Sequence, residues 1–458
     1  MLAVLLSAAL GRALGAADFG LLFLVSSMAQ FAFVVVEWGQ PQYVVRQVAQ
    51  AGQGSGELLG ATLMLRVIGT VALTAATVVT TWAFGYDLRT RGLAALLMAC
   101  MLPFVLAQAF TLIFRGRERM EYESLTAVVN KGFTLGFTLI ALSMGLGLEG
   151  AFIAQGIAGL LALLAAALFF RRLEDTSLQF RRRAAIKVLM GGTPLVIMSV
   201  AIASQSYIEA VVLSKLGSAE STGWFGAAKV ILGTLIAPAT ILGSSAYPRL
   251  SRAASDLRTF RTELHVAIRP LMAVAVLGSV GTYLFAAEAV RFIYGEGDFG
   301  PAATVLQVFA PGLLLLFLDI LLGTGVLAIG RSVPLAIGKV VTIGAHTTLA
   351  VLLVPYCQER FANGGIGIAI AFCLSELIMF LTAIWLLPRS SIQLVSILDC
   401  GRALIAGGIT LGLFLMLPSL PLVIGGPLCV AVFGIASVMT GIIRKAELEH
   451  IRMKLLGR

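Results

Sequence analysis

Long apolar runs alternate with short polar punctuation along the chain. The runs fall near 2–14, 20–37, 59–83, 93–114, 125–146, 150–170, 186–213, 224–243, 268–286, 305–329, 334–354, 365–387, 403–417 and 422–443. Most are close to the roughly 20 residues that carry a helix through hydrocarbon. They lack the short alternating segments of a membrane β-barrel. The pattern predicts an all-α, polytopic membrane protein of about fourteen transmembrane helices. The connections are too short to insert a soluble domain.

The first run is shorter than the others. Leu14-Gly15-Ala16-Ala17 looks like a signal-peptide cleavage site, but a signal peptide carries its basic residues ahead of the apolar core. Here Arg12 follows the run. The segment therefore reads as the second half of a first membrane helix that looks cut short.

Composition sharpens this picture. Of 458 residues, 59% are hydrophobic and 12% charged, with a mean hydropathy of +0.97. A soluble domain carries roughly 25% charged residues. A soluble globular protein, a nucleic-acid-binding domain and a disordered tail protein are excluded. The net charge of +10 has a simpler source. With both termini inside, the alternate loops place 23 of the 33 Lys and Arg residues on the cytoplasmic side and 6 outside, with 4 in the spans. That asymmetry is the positive-inside signature. The cysteines at 100, 357, 373, 400 and 429 show no CxxC spacing; they read as small buried hydrophobes.

An internal repeat organises the spans. Leu14-Gly15-Ala16-Ala17-Asp18-Phe19-Gly20 opens the second, and Leu216-Gly217-Ser218-Ala219-Glu220-Ser221-Thr222-Gly223-Trp224-Phe225-Gly226 opens the eighth. Each following helix ends at a proline and an arginine, Pro41 with Arg46 and Pro248 with Arg249. The offset is six spans, an even number, so the repeat is parallel rather than inverted. This predicts two six-helix lobes facing a central space. The expected organisation is an amino-terminal lobe at 1–170 and a basic cytoplasmic linker at 171–185. A carboxy-terminal lobe at 186–387 follows, then two appended helices with a basic tail at 388–458.

No enzyme constellation appears. Gly295-Glu296-Gly297-Asp298-Phe299-Gly300 and Gly145-Leu146-Gly147-Leu148-Glu149-Gly150 fit GxGxxG, but a dinucleotide site needs that pattern within a βαβ unit. Here both read as turns between membrane helices. There is no Walker A motif, and the three histidines lack metal-ligand spacing; no cofactor or metal site is expected. Gly132 and Gly136 fit a small-xxx-small helix contact. The informative residues are ionisable groups inside spans: Arg66, Lys131, Glu209, Lys229, Asp319, Lys339, His346 and Glu376. A charge at mid-bilayer costs about 2.5–3.5 kcal/mol even on the mildest scale, so it is expected to face a cavity or a partner. Snorkelling is the competing reading for those near a span end. Asp319, His346 and Glu376 lie near mid-span, where a cavity role or a structural polar pair are the alternatives. The bases, with Arg12, tilt the balance toward an anionic substrate, because guanidinium and ammonium groups pair with phosphate.

Gly11-Arg12-Ala13-Leu14-Gly15-Ala16-Ala17-Asp18-Phe19-Gly20 resembles the R-x-LG-xx-x-FG signature of the polysaccharide-biosynthesis (Wzx-type) flippases. These are relatives of MATE exporters and lipid II flippases in the MOP superfamily. Gly39-Gln40-Pro41-Gln42-Tyr43-Val44-Val45-Arg46 is similar to the family's segment after span 2. Tyr294-Gly295-Glu296-Gly297-Asp298-Phe299, with Ala302, Ala303 and Leu306, is similar to its turn before span 10. The resemblance implies a MATE-like fold in the bacterial inner membrane. It implies translocation of an undecaprenyl-pyrophosphate-linked oligosaccharide, an O-antigen, capsule or exopolysaccharide repeat unit, without ATP. Candidate partners are that lipid-linked substrate, membrane lipid and polysaccharide polymerase or export proteins; no nucleic acid is expected. Arg12 and Arg46 match motif arginines, alongside the motif residues Gly15, Phe19, Gly20, Pro41 and Gly295. Arg12, Arg66, Lys131, Lys229 and Lys339 are the expected head-group ligands. Asp319, His346 and Glu376 are the expected carriers of a coupling proton or sodium ion. The alternatives are a lipid II flippase or a MATE-type cation exporter. A membrane polymerase or ligase is less consistent with outside loops that are short and hold no histidine.

Overall fold

The computed structural model describes residues 2–51, 55–174, 176–389, 391–417 and 420–442. Met1, Asp175 of the linker and the tail bases Arg444, Lys445, Arg452, Lys454 and Arg458 lie outside the described residues.

Among the described residues, fourteen helices follow one another. They are α1 (Leu2–Glu37), α2 (Gln40–Ala51), α3 (Gly56–Ala83), α4 (Leu88–Gly116), α5 (Met120–Ser143), α6 (Gly147–Leu173) and α7 (Arg182–Leu216), then α8 (Ala219–Ala253), α9 (Leu257–Tyr294), α10 (Ala302–Ala328), α11 (Ser332–Phe361), α12 (Gly364–Leu386), α13 (Leu394–Met416) and α14 (Leu422–Met439). Among the described residues, twelve segments are long and apolar enough to cross a membrane. The protein is an all-α, multi-pass membrane protein. Two expected spans, 2–14 and 20–37, lie within α1, which Gly15 interrupts with φ 74° and ψ 175°. Only glycine reaches that conformation without strain.

Capping residues set several boundaries. Asp87 accepts from the Thr90 N–H at the start of α4, and Asp256 accepts from those of Arg258 and Thr259 at the start of α9. Hydrogen bonds from Thr90 and from Thr259 hold these two carboxyls below their ordinary values. Ser218 caps α8 through the Ser221 N–H. Of the two GxGxxG stretches, the one at 295–300 is a turn, as expected, whereas the other spans the short turn at Gly145 and Leu146 and the first residues of α6; Gly145, Gly147 and Gly295 all have positive φ.

The chain forms two compact units, Met1–Lys215 and Leu216–Arg458. In the first, Val44 and Val48 of α2, Leu59 of α3, Ile113 and Phe114 of α4 and Val188 of α7 pack into one buried cluster. The linker after α6 is strapped to the start of α3. Glu174 accepts hydrogen bonds from the Ser55 N–H at 3.1 Å, from the Ser55 hydroxyl and from Arg117 Nε at 2.7 Å. Burial pushes the Glu174 carboxyl up, but these bonds outweigh it and the net shift is downward. Gly56 and Gly60, one turn apart, let the linker lie on the helix backbone. A Cβ on either would overlap the carbonyl of Ser177 or of Gln179. This GxxxG pair therefore seats a linker, whereas the expected contact at Gly132 and Gly136 is not made: an added Cβ at either meets nothing within 4 Å. α5 turns that face outward, so the spacing had no partner to serve.

In the same unit, α7 runs along α1. Gly39 (φ 67°) meets Gly192 backbone to backbone, and Trp38 Nε1 donates to Thr193 Oγ1 at 3.2 Å. Further along, Phe31 stacks on Tyr207 with ring centroids 5.0 Å apart. Near the other end, Tyr86 and Ser214 share a hydrogen bond of 2.6 Å.

In the second unit, α12 packs between α10 and α11. Gly367 brings α12 against the Leu353 carbonyl of α11. Such close approaches are how helices associate in lipid, where no hydrophobic force draws them together. α13 and α14 pack on α9. Buried Asp399 of α13 lies 2.8 Å from Arg402 Nη1, 3.8 Å from Arg269 Nε and 3.9 Å from His265 Nε2, the last two on α9.

Candidate functional site

The charged residues within the spans differ in how the fold treats them. Arg66 on α3 is fully buried, and its guanidinium is engaged on three sides. Nη2 reaches Glu37 Oε1 at 3.2 Å, Nε donates to Gln40 Oε1 at 3.1 Å, and Nη1 donates to the Val105 carbonyl at 2.5 Å. Gln40 in turn donates to the Val36 carbonyl at 3.2 Å. The network joins the last turn of α1, the first of α2, and the middles of α3 and α4. Glu37 and Gln40 escaped the sequence reading. The available signal was an acid and an amide flanking Trp38-Gly39 at a span end.

The other basic candidates are more open. Arg12 and Lys131 are exposed, Lys339 is half-buried, and half-buried Lys229 holds its ammonium 5.6 Å from the Phe225 ring centre. The five lie on α1, α3, α5, α8 and α11.

Asp319, His346 and Glu376 share one part of the fold, whereas Glu209 is buried on α7 in the first unit. α10, α11 and α12 carry Asp319, His346 and Glu376 respectively, and all three side chains are buried. His346 Nδ1 lies 3.3 Å from Ser375 Oγ, the residue next to Glu376. Thr342, one turn before His346, points its hydroxyl at Met379 of α12. Asp319 is 9% exposed, and its Oδ1 has no hydrogen-bond partner. A buried carboxylate of this kind is costly unless a proton, a cation or a neighbouring base neutralises it. The arrangement is thus a set of buried titratable groups on three helices, with α12 packed against both α10 and α11.

Several motif residues pack or bond within the fold. Phe19 and Gly20 are buried, and Asp18 between the motif ends accepts both Nη groups of Arg89, at 2.9 and 3.0 Å. Pro41 occupies the first turn of α2, where its missing N–H leaves no intrahelical bond unmade. Arg46 extends over the Tyr43 ring at 6.0 Å. Gly295 ends α9. Among the described residues, no group of three or more His, Cys, Asp or Glu could hold a metal ion.

This is a multi-span helical membrane fold with charges sequestered inside its spans. The chain belongs to the polysaccharide biosynthesis protein family, whose model matches residues 1–254. Solved structures of similar fold include the lipid II flippase MurJ in an inward closed conformation, 14% identical with a TM-score of 0.70, covering 93% of this chain and 96% of that one. An inward-facing multidrug-resistance MATE transporter of the MOP superfamily is 16% identical with a TM-score of 0.67, covering 84% and 93%. A MOP superfamily transporter from Pyrococcus furiosus, described as having a binding pocket of reversed polarity, is 16% identical with a TM-score of 0.56, covering 84% and 90%. No curated protein matches.

Proposed function

We propose that the protein is a flippase that moves an undecaprenyl-pyrophosphate-linked oligosaccharide across the bacterial inner membrane. The observation that carries this reading is membership of the polysaccharide biosynthesis family in a chain with a transporter fold. The exposed or half-buried bases Arg12, Lys131, Lys229 and Lys339 supply cationic contacts for the pyrophosphate, as guanidinium and ammonium groups do elsewhere. Arg66, already engaged by Glu37, Gln40 and Val105, positions the α1–α2 elbow in this conformation and would have to exchange partners to meet a head group. The prenyl tail stays in lipid.

Coupling is assigned to Asp319, His346 and Glu376. A monovalent cation crossing 100 mV gains about 2.3 kcal/mol, enough to bias a two-state transporter about fifty-fold. No ATP or chemical step is involved in this scheme, so the protein acts as a carrier rather than an enzyme.

The test is deletion of the gene, with surface polysaccharide and undecaprenyl-linked intermediates followed by mass spectrometry. Loss of polymer with a lipid-linked repeat unit trapped in the inner leaflet supports the reading. An Arg12→Ala copy should restore polymer only partly, and Asp319→Asn should remove the dependence on the ion gradient. Normal polymer with no accumulated intermediate, in a strain without a redundant transporter, overturns it. Lysis with accumulated lipid II, or altered drug sensitivity, would instead favour the functions printed for the structural neighbours.

A further inference from the structure

We propose that a cleft at the foot of α12 binds the phosphate of an anionic phospholipid head group. The cleft has a volume of about 600 Å³. It lies between the α10–α11 turn, which supplies Arg331, and the α12–α13 connection, which supplies Arg389 and Ser391. Both arginines are exposed at the ends of membrane spans, on the side that the loop arginine count makes cytoplasmic. That is the depth of lipid head groups.

Three observations point to an anion. Two guanidinium groups line one cleft, and no carboxylate is among its described lining residues. Arg331 is held in place, because its Nη1 donates to the Leu386 carbonyl at 2.7 Å. That bond satisfies a carbonyl at the α12 terminus and leaves the rest of the fork for a ligand. Ser391, the third polar group, is 2% exposed, and its hydroxyl has no hydrogen-bond partner. Buried hydroxyls are nearly always bonded, so an unbonded one lining a cationic cleft marks the place of an acceptor. A phosphate oxygen suits all three donors.

The rim says that the anion is carried by a lipid. Ile384, Trp385 and Ile392 line the same cleft, and Trp385 is 80% exposed. An exposed indole at a span end sits at the head-group boundary, with its ring available to acyl chains. Inorganic phosphate would use the arginines and the serine but gain nothing from this apolar edge.

The experiment uses the full-length protein in detergent, with native mass spectrometry and thermal unfolding after addition of phosphatidylglycerol, phosphatidylcholine or inorganic phosphate. The expected result is a retained phosphatidylglycerol, preferred over phosphatidylcholine, that raises the unfolding midpoint. Arg389→Ala should weaken its apparent affinity about tenfold, the loss of one charge-assisted hydrogen bond. Ser391→Ala should weaken it less and leave the fold intact, which separates ligand loss from misfolding. Equal retention of phosphatidylglycerol by the wild type, Arg389→Ala and Ser391→Ala overturns the site. Stabilisation by inorganic phosphate that matches that of the lipid overturns the lipid assignment.

Discussion

The chain after Gly15 and the chain after Gly217 open on matching residues and run for nearly the same length, 16–51 against Ala219–Ala253. In both, the motif phenylalanine is buried: Phe19 at 3% exposure and Phe225 at 0%. They diverge at the far end. The first copy bends at Trp38 and Gly39, both with positive φ, and restarts as α2 with Pro41 in its first turn. The second continues as one helix through Pro238 and Pro248. A proline is tolerated in a first turn and costs a hydrogen bond in a helix interior. The same proline punctuation therefore marks an elbow in one unit and an interior interruption in the other. The elbow also has what the second copy lacks at this place: a positive-φ glycine and a buried arginine that ties both of its arms to α3 and α4.

This comparison can be broken most directly at Gly39. Gly39→Val should cost about 3–5 kcal/mol, because it combines a disfavoured backbone region with overlap on the Gly192 carbonyl. The expected readout is loss of the monodisperse peak in detergent. Arg66→Met should cost about 2–3 kcal/mol by leaving half-buried Glu37 without its cation and Gln40 and the Val105 carbonyl without their donor. The double change Arg66→Met with Glu37→Gln should recover part of that loss in thermal unfolding, and no recovery would contradict the pairing. The two prolines sharpen the contrast. Pro248→Ala should stabilise by roughly 1–3 kcal/mol, while Pro41→Ala should change little. Equal effects at both positions would show that the elbow does not depend on helix-start chemistry.

The smallest effect concerns the linker. The Glu174 carboxyl is held below its ordinary value of 4.5 in the folded state. Its contribution is therefore fully present above about pH 4.5 and is lost as pH falls through the depressed folded value. Glu174→Gln should lower the unfolding midpoint modestly at neutral pH and flatten its decline on acidification, so that wild type and variant converge below that pH. A decline of unchanged steepness in the variant would remove Glu174 from the linker's acid sensitivity.

Much of the fold was legible because membrane helices announce themselves by length and apolarity. Expected runs such as 93–114 and 150–170 lie inside α4 and α6, and 305–329 ends one residue beyond α10. Gly15 was readable as a helix boundary because Leu-Gly precedes a new apolar run. The candidate site was legible only as a set of expensive residues. Burial of Asp319, His346 and Glu376 follows from the cost of charge in hydrocarbon, but their placement on three adjacent helices does not. The spacing of Gly132 and Gly136 suggested a contact, whereas the same spacing at Gly56 and Gly60 passed unremarked and is the one that is used. GxxxG makes one helix face flat; what lies on that face depends on segments far away in sequence.

The sequence by itself determined the solvent of this protein, its helices, its loop charge asymmetry and the family to which it belongs. Each of these rests on local composition, since a helix satisfies its own backbone and an apolar run needs only lipid around it. The tertiary structure decided the rest. It gave Arg66 its three partners and used glycines to bring Gly192 onto Gly39. It laid the linker on α3, and it left Ser391 unbonded between two arginines. In lipid these choices depend on fitted surfaces and individual hydrogen bonds between distant residues, because no general hydrophobic force selects among them.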